Sequence, residues 1–273
     1  HSVPGTGGVQ GVFRGRLREA QVTHYALLAA GSVLTAAIES PASMELSLAG
    51  TSALSMLMLA GEPGDSYLEP EELKVLLRII SDSPSTRART YAAAGLWLNT
   101  REPGNRATAG VTGACERILT LLFDLLNECE NAPDLESIED FEAAEDRARL
   151  ALWAVACVWI LSCDRWNADR ILQWAVSDVD EQSGGMHNHD GLLSVPAAEI
   201  LVRVIQGAVG SGTSLLRPTQ QVAVGALFEL LGSLDTEDSR DVRRLVAAMG
   251  VGEPLLELAL APEVNVLLRR NAG

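Results

Sequence analysis

The sequence predicts an all-α protein assembled from a repeated helical unit. Three observations carry this. Apolar residues recur at helical spacings of three and four along nearly every patterned segment. No segment shows the strict alternation of a half-buried strand. Two kinds of helix punctuation also return at nearly the same interval. Ser40-Pro41 reappears 43 residues on as Ser83-Pro84, and Gly61-Glu62-Pro63-Gly64-Asp65 reappears 40 residues on as Arg101-Glu102-Pro103-Gly104-Asn105. Ser-Pro marks a helix entry, because serine caps and proline fits the first turn. Glu-Pro-Gly marks an exit, because proline cannot continue a helix.

Composition agrees. The 273 residues suffice for one large domain, two small ones or an extended array. Apolar residues make up 47% and aromatic ones only 4%, so the expected core is aliphatic and alanine-rich. A net charge of −15 repels phosphates and anionic lipid, which argues against nucleic acid and a lipid surface as partners. No apolar run reaches the ~18–20 residues of a membrane span, and AVACVWIL (154–161) suits a buried helix. Membrane insertion is therefore not expected. Lys74 is the only lysine, which we read as compositional bias.

Taken in order, HSVPGTGGVQG opens a flexible terminal segment, residues 1–18, ahead of a repeat domain at 19–273. Its glycines lack the Gly-Lys-Ser/Thr and the preceding strand of a phosphate loop. ELSLAGTSALSMLMLA (45–60) and RARTYAAAGLWLNT (87–100) are small-residue helices. Between them Leu73, Leu76, Leu77 and Ile80 form one apolar stripe. Cys115, Ile118, Leu119, Leu122, Leu125, Leu126 and Cys129 form another. The stretch 127–146 holds nine acidic and no basic residues. It reads either as a solvated insertion between repeats or as a dock for a basic partner segment.

Residues 147–176 give a helix, a polar break containing Asn167, and an amphipathic continuation. A Gly/His loop spans 177–192. VPAAEILVRVIQGAV (195–209) and TQQVAVGALFELLGSL (219–234) are further helices, and 242–260 is a helix, a Met-Gly break and a second helix. The final LLRRNAG resembles the opening of another.

Chemistry-bearing residues are sparse. Cys115 and Cys129 lie on one helix, roughly 21 Å apart at 1.5 Å per residue, too far to bridge. Cys157 and Cys163 fall on different faces, and no CxxC occurs. Reduced, buried thiols in an intracellular, cytoplasmic setting are the expectation. His187, His189 and Asp190 are the only metal-like cluster, but they lack a fourth ligand and sit among glycines, so no metal or other cofactor is expected. No GxSxG or placed nucleophile–histidine pair appears, so the chain is not expected to be an enzyme. Four of the five tryptophans, Trp153, Trp159, Trp166 and Trp174, cluster. Trp166, in the polar break, is the one expected to be exposed.

These features resemble the armadillo-repeat family. The match rests on YAAAGLWLN, on Gly104-Asn105-Arg106 after the break, and on the glycine opening VTGACERILTLLFDLL (111–126). Asn167 and MGVGEPLLELAL give weaker matches. The resemblance implies a right-handed superhelical solenoid of about five to six partly degenerate three-helix repeats. It also implies a binding scaffold or adaptor for an extended peptide or an amphipathic helix of another protein. A nuclear transport adaptor, with nuclear shuttling, and a structural subunit of a large assembly are the alternatives. Aligning third helices on Leu54, Leu96, Val158, Leu201 and Leu227 gives steps of 42, 62, 43 and 26, the last suggesting a unit short of a helix.

Projecting the family's groove spacing onto that alignment selects Ser52 and Met56, Ala94 and Leu98, Ala156 and Ile160, Glu199 and Arg203, and Gly225 and Glu229. None of these pairs is the tryptophan and asparagine that hold a lysine-rich peptide. The expected ligand is therefore apolar or amphipathic.

Overall fold

The computed structural model describes residues 68, 70–130, 137–174, 196–233 and 238–260. Of these, 84% are helical and none is in a strand, as the periodicity predicts. Ser52, Met56, the Gly/His loop and the terminal segments lie outside the described residues. The chain divides into two units, His1–Glu102 and Pro103–Gly273.

In the first unit, α1 (Pro70–Asp82) packs against α2 (Thr86–Thr100). Pro70 occupies the first turn, with Glu71 and Glu72 at the positive end of the helix dipole. The predicted stripe of Leu73, Leu76, Leu77 and Ile80 is buried. Ser85 caps α2, accepting a hydrogen bond from the Ala88 N–H at 3.3 Å, one residue past the Ser-Pro mark. Ala88, Ala92, Ala93 and Leu96 are fully buried, so α2 is small on the side it buries. Arg89 Nε donates to the Ile80 carbonyl at 2.9 Å, satisfying an oxygen at the end of α1 that has no partner within its own helix. The buried Asn99 Oδ1 accepts the Leu68 N–H at 3.2 Å.

The second unit holds α3 (Pro103–Val111), α4 (Ala114–Glu130), α5 (Ile138–Ser162), α6 (Arg165–Gln173) and α7 (Pro196–Ile205). They are followed by α8 (Leu216–Ser233), α9 (Asp238–Ala248) and α10 (Gly252–Leu260). Pro103 does more than end a helix: α2 stops at Thr100 and the same proline opens α3. Gly113, at φ 95°, makes the turn into α4, a conformation side-chain-bearing residues rarely adopt. Gly250, at φ 74°, makes the predicted break between α9 and α10.

Helices three apart in the chain pack together: α3 on α6, α4 on α7 and, most extensively, α5 on α8. The last pair runs parallel. Ser214, just before α8, donates to Glu145 in the first half of α5 at 3.0 Å. Further along, a Cβ on Gly225 would stand 3.1 Å from the Trp159 ring. Near the end of α5, the Glu229 carboxylate acts on the Cys163 thiol. Residue numbers rise together along both helices.

Three expectations need correction. At the C-terminal side of the acidic stretch, 137–146 is no insertion. It forms the cap and first turns of α5, fixed by a capping box in which the Ser137 hydroxyl accepts the Asp140 N–H at 3.1 Å and Asp140 Oδ2 accepts the Ser137 N–H at 3.0 Å. Residues 127–130 are the last turn of α4. Leu201 does not align with Val158. It lies on α7, which packs on α4, whereas α8 is the helix alongside α5. The cysteines, all free, are not all buried: Cys115 and Cys157 are, Cys129 is half-buried and Cys163 is exposed.

Candidate partner-binding face

The corrected register changes which projected residues lie together. Ala94 and Leu98 are on α2, the first buried and the second half-buried. In the second unit, Ala156 (buried) and Ile160 (half-buried) are on α5, while Gly225 and Glu229 are on α8, the helix packed beside it. Glu199 and Arg203 stand apart on α7, with Arg203 paired to Glu130 at the end of α4. The last two projected pairs are thus split, and only Gly225 and Glu229 share a helix pair with Ala156 and Ile160.

The face so defined is built from α5 and α8. Trp159 lies over Gly225, and the absence of a side chain there lets the indole settle against the α8 backbone. One turn later, Cys163 sits within electrostatic reach of Glu229. Burial pushes its thiol above the ordinary value, the Glu229 carboxylate adds to that, and Arg106 of α3 opposes it. Ile160, half-buried on α5, supplies an apolar element and Glu229 the charge.

The supporting helices are fixed by polar ties. Asp164 caps α6, accepting the Asn167 N–H at 3.1 Å. Asn167 is buried and donates through Nδ2 to the Arg106 carbonyl at 2.8 Å, joining α6 to α3. A Cβ on Gly110 would collide with Asn167 Oδ1, so glycine is required there for the two helices to approach. Arg170 of α6 donates through Nε (3.0 Å) and an Nη (2.7 Å) to one Glu116 oxygen on α4, a bond that raises the arginine's already high pKa. Burial pushes the Cys115 thiol nearby up to about 12, with Glu116 adding.

Two features were hidden from the sequence reading. Tyr91–Thr100 of α2 and Trp153–Ser162 of α5 align so that Trp97 matches Trp159, and residues 92–100 and 154–162 share one burial pattern position by position. The tryptophan match follows from aligning Leu96 with Val158, and only the shared burial was hidden. The other feature is Arg101, whose guanidinium lies over the Trp97 ring at 5.4 Å. As expected, Trp166 is exposed, at 79%, while Trp174 is buried edge-on to Phe123 with ring centres 6.5 Å apart.

Among the described residues no helix is long and apolar enough to cross a membrane, and no three His, Cys, Asp or Glu side chains are grouped to hold a metal. The chain matches no protein-family model, no curated protein and no solved structure. What its fold defines is an all-α protein whose second unit packs helices three apart in sequence.

Proposed function

We propose that the chain is a non-enzymatic protein-interaction scaffold of armadillo-like stacked three-helix units. In this reading it holds an apolar or amphipathic segment of another protein along the face of α5 and α8. One observation carries it: α3, α4 and α5 are each matched by the helix three further on, with α5 and α8 parallel. Parallel neighbours separated by two connecting helices repeat the same face at each step, and a repeated face suits an extended partner. Ile160, Cys163 and Glu229 offer that partner an apolar surface with one charge. Ala156 and Gly225 keep it shallow. Four free cysteines fit a reducing compartment.

A lysine-rich ligand fits less well. Such a peptide lays its side-chain stems on indole rings, and the Trp97 ring already carries Arg101. The acidic turns of α5 are not assigned a basic partner, because Glu145 is engaged by Ser214 and Arg149 and Asp146 by Arg149.

Calorimetric titration of the whole chain tests the reading with two peptides, an uncharged-faced amphipathic helix and a lysine-rich import-type segment. We expect the first to bind, with Ile160→Asp and Glu229→Lys each weakening it at least fivefold. Micromolar binding of the lysine-rich peptide that survives physiological salt would instead favour a transport adaptor.

A further inference from the structure

Charge is almost absent from the two helices of the face proposed above. From Leu150 to the end of α5 and from Pro218 to the end of α8, Glu229 is the only acidic or basic residue. It is half-buried, and no described residue pairs with it by hydrogen bond or salt bridge. Such a carboxylate has lost part of its hydration and gained no counter-charge, which is unfavourable in an apolar setting. The helix ends beside it deepen the negative potential. α5 and α8 are parallel, and Cys163, the residue that follows α5, lies within electrostatic reach of Glu229. The C-terminal end of α5 therefore stands level with Glu229, and that of α8 lies about one turn beyond. Helix C-termini carry partial negative charge, which a basic residue in the last turn offsets. Neither helix has one. The positive end of α6, which starts here, is already capped by Asp164. Arg106 of α3 also acts on Cys163, in the opposite sense to Glu229, but does not pair with that carboxylate. The corner is open to solvent: Cys163 is exposed, and Ile160, three residues back, is half-buried.

We infer that this corner is a cation subsite: the amphipathic segment held on α5 and α8 carries one basic side chain, set beside its apolar stripe, that pairs with Glu229. The inference rests on the interaction reading above and adds the partner's charge to it. A single cation satisfies the carboxylate and the two helix ends together. It also fixes the register of the segment, because the rest of the face is apolar and holds a stripe equally well one turn either way, whereas the charge has one place to go. More than one basic residue gains nothing. The stretches of α5 and α8 named above hold no second carboxylate, so each further lysine would be desolvated against apolar side chains without a partner. The subsite thus distinguishes a segment with one basic residue from an uncharged one, and equally from a lysine-rich one.

The test uses the full chain and a set of labelled amphipathic helical peptides. Each carries one arginine, placed in turn at every position flanking the apolar stripe, and each has a twin with citrulline, the uncharged isostere, in its place. Fluorescence anisotropy should show one position, or two a turn apart, where arginine binds at least fivefold tighter than citrulline. That advantage should shrink as salt is raised. Glu229→Gln, which keeps the shape of the side chain, should abolish the advantage while leaving the citrulline peptides and the melting temperature unchanged. If arginine and citrulline bind alike at every position, the cation subsite is overturned and the groove reading stands. An arginine advantage that survives Glu229→Gln overturns it as well, since the charge is then read elsewhere. If no peptide of either kind binds, the groove reading itself fails and the subsite falls with it.

Discussion

Asn167 shows how much one side chain can organise. Its buried amide ties α6 to the Arg106 carbonyl of α3, and it occupies the space that Gly110 leaves vacant. Asn167→Ala removes this tie between α6 and α3 and should cost ~0.5–1.5 kcal/mol in urea denaturation. Gly110→Ala should cost at least as much, because the new methyl meets the amide. Made together they should cost well under the sum, since removing the amide frees the space, and a double-mutant cycle reads that coupling directly. Cys115 gives a pH signature. Its folded value of about 12 lies above the ordinary thiol value of 9.0, so its contribution is complete below pH 9 and is lost as pH rises toward 12. Stability should fall there by up to ~1.4 kcal/mol per pH unit relative to Cys115→Ala, for one proton. Denaturation at pH 8.5 and 10.5 checks it, and identical slopes for the two proteins would contradict it. The sequence marked Asn167 as a break residue and Cys115 as a core residue. Their partners lie on other helices, beyond what spacing along one segment can reveal.

At the scale of elements, the helix stripes were legible because burial imposes the helical period: every predicted stripe residue of α1 and α4 is buried except Cys129, which is half-buried. The start of α5 was not legible. Nine carboxylates in twenty residues suggested solvent, yet Asp140 closes a capping box and Glu139 and Asp140 complement the dipole at the helix start. Composition argued for a loop, and local hydrogen bonding prevails. Ser137→Ala should therefore lower stability by about 1 kcal/mol. Amide exchange across 138–142 should rise with little change in α4. A melting temperature unmoved by this substitution, with unchanged exchange, would mean that the first turns of α5 contribute nothing to stability. Alignment failed for a related reason. Leu201 sits in an apolar helix much like a third helix, and only packing on α4 reveals its true position.

For the molecule as a whole, the all-helical class was readable from sequence because one period fits every patterned segment. The order of packing was not, since it depends on which faces meet across sixty or more residues. The central claim is that α5 and α8 are parallel neighbours. A short bismaleimide cross-linker, which adds one thiol at each end, tests it on the native Cys163, which is exposed. With Glu229→Cys, Cys163 should be joined to residue 229 rapidly and in high yield, and peptide mass spectrometry should locate the link. With Ser214→Cys it should not, because 214 lies just before α8, whose residues 216–229 alone span about 20 Å along the axis. Efficient linkage of Cys163 to residue 214 but not to residue 229 would mean that the helices run antiparallel and would contradict the account.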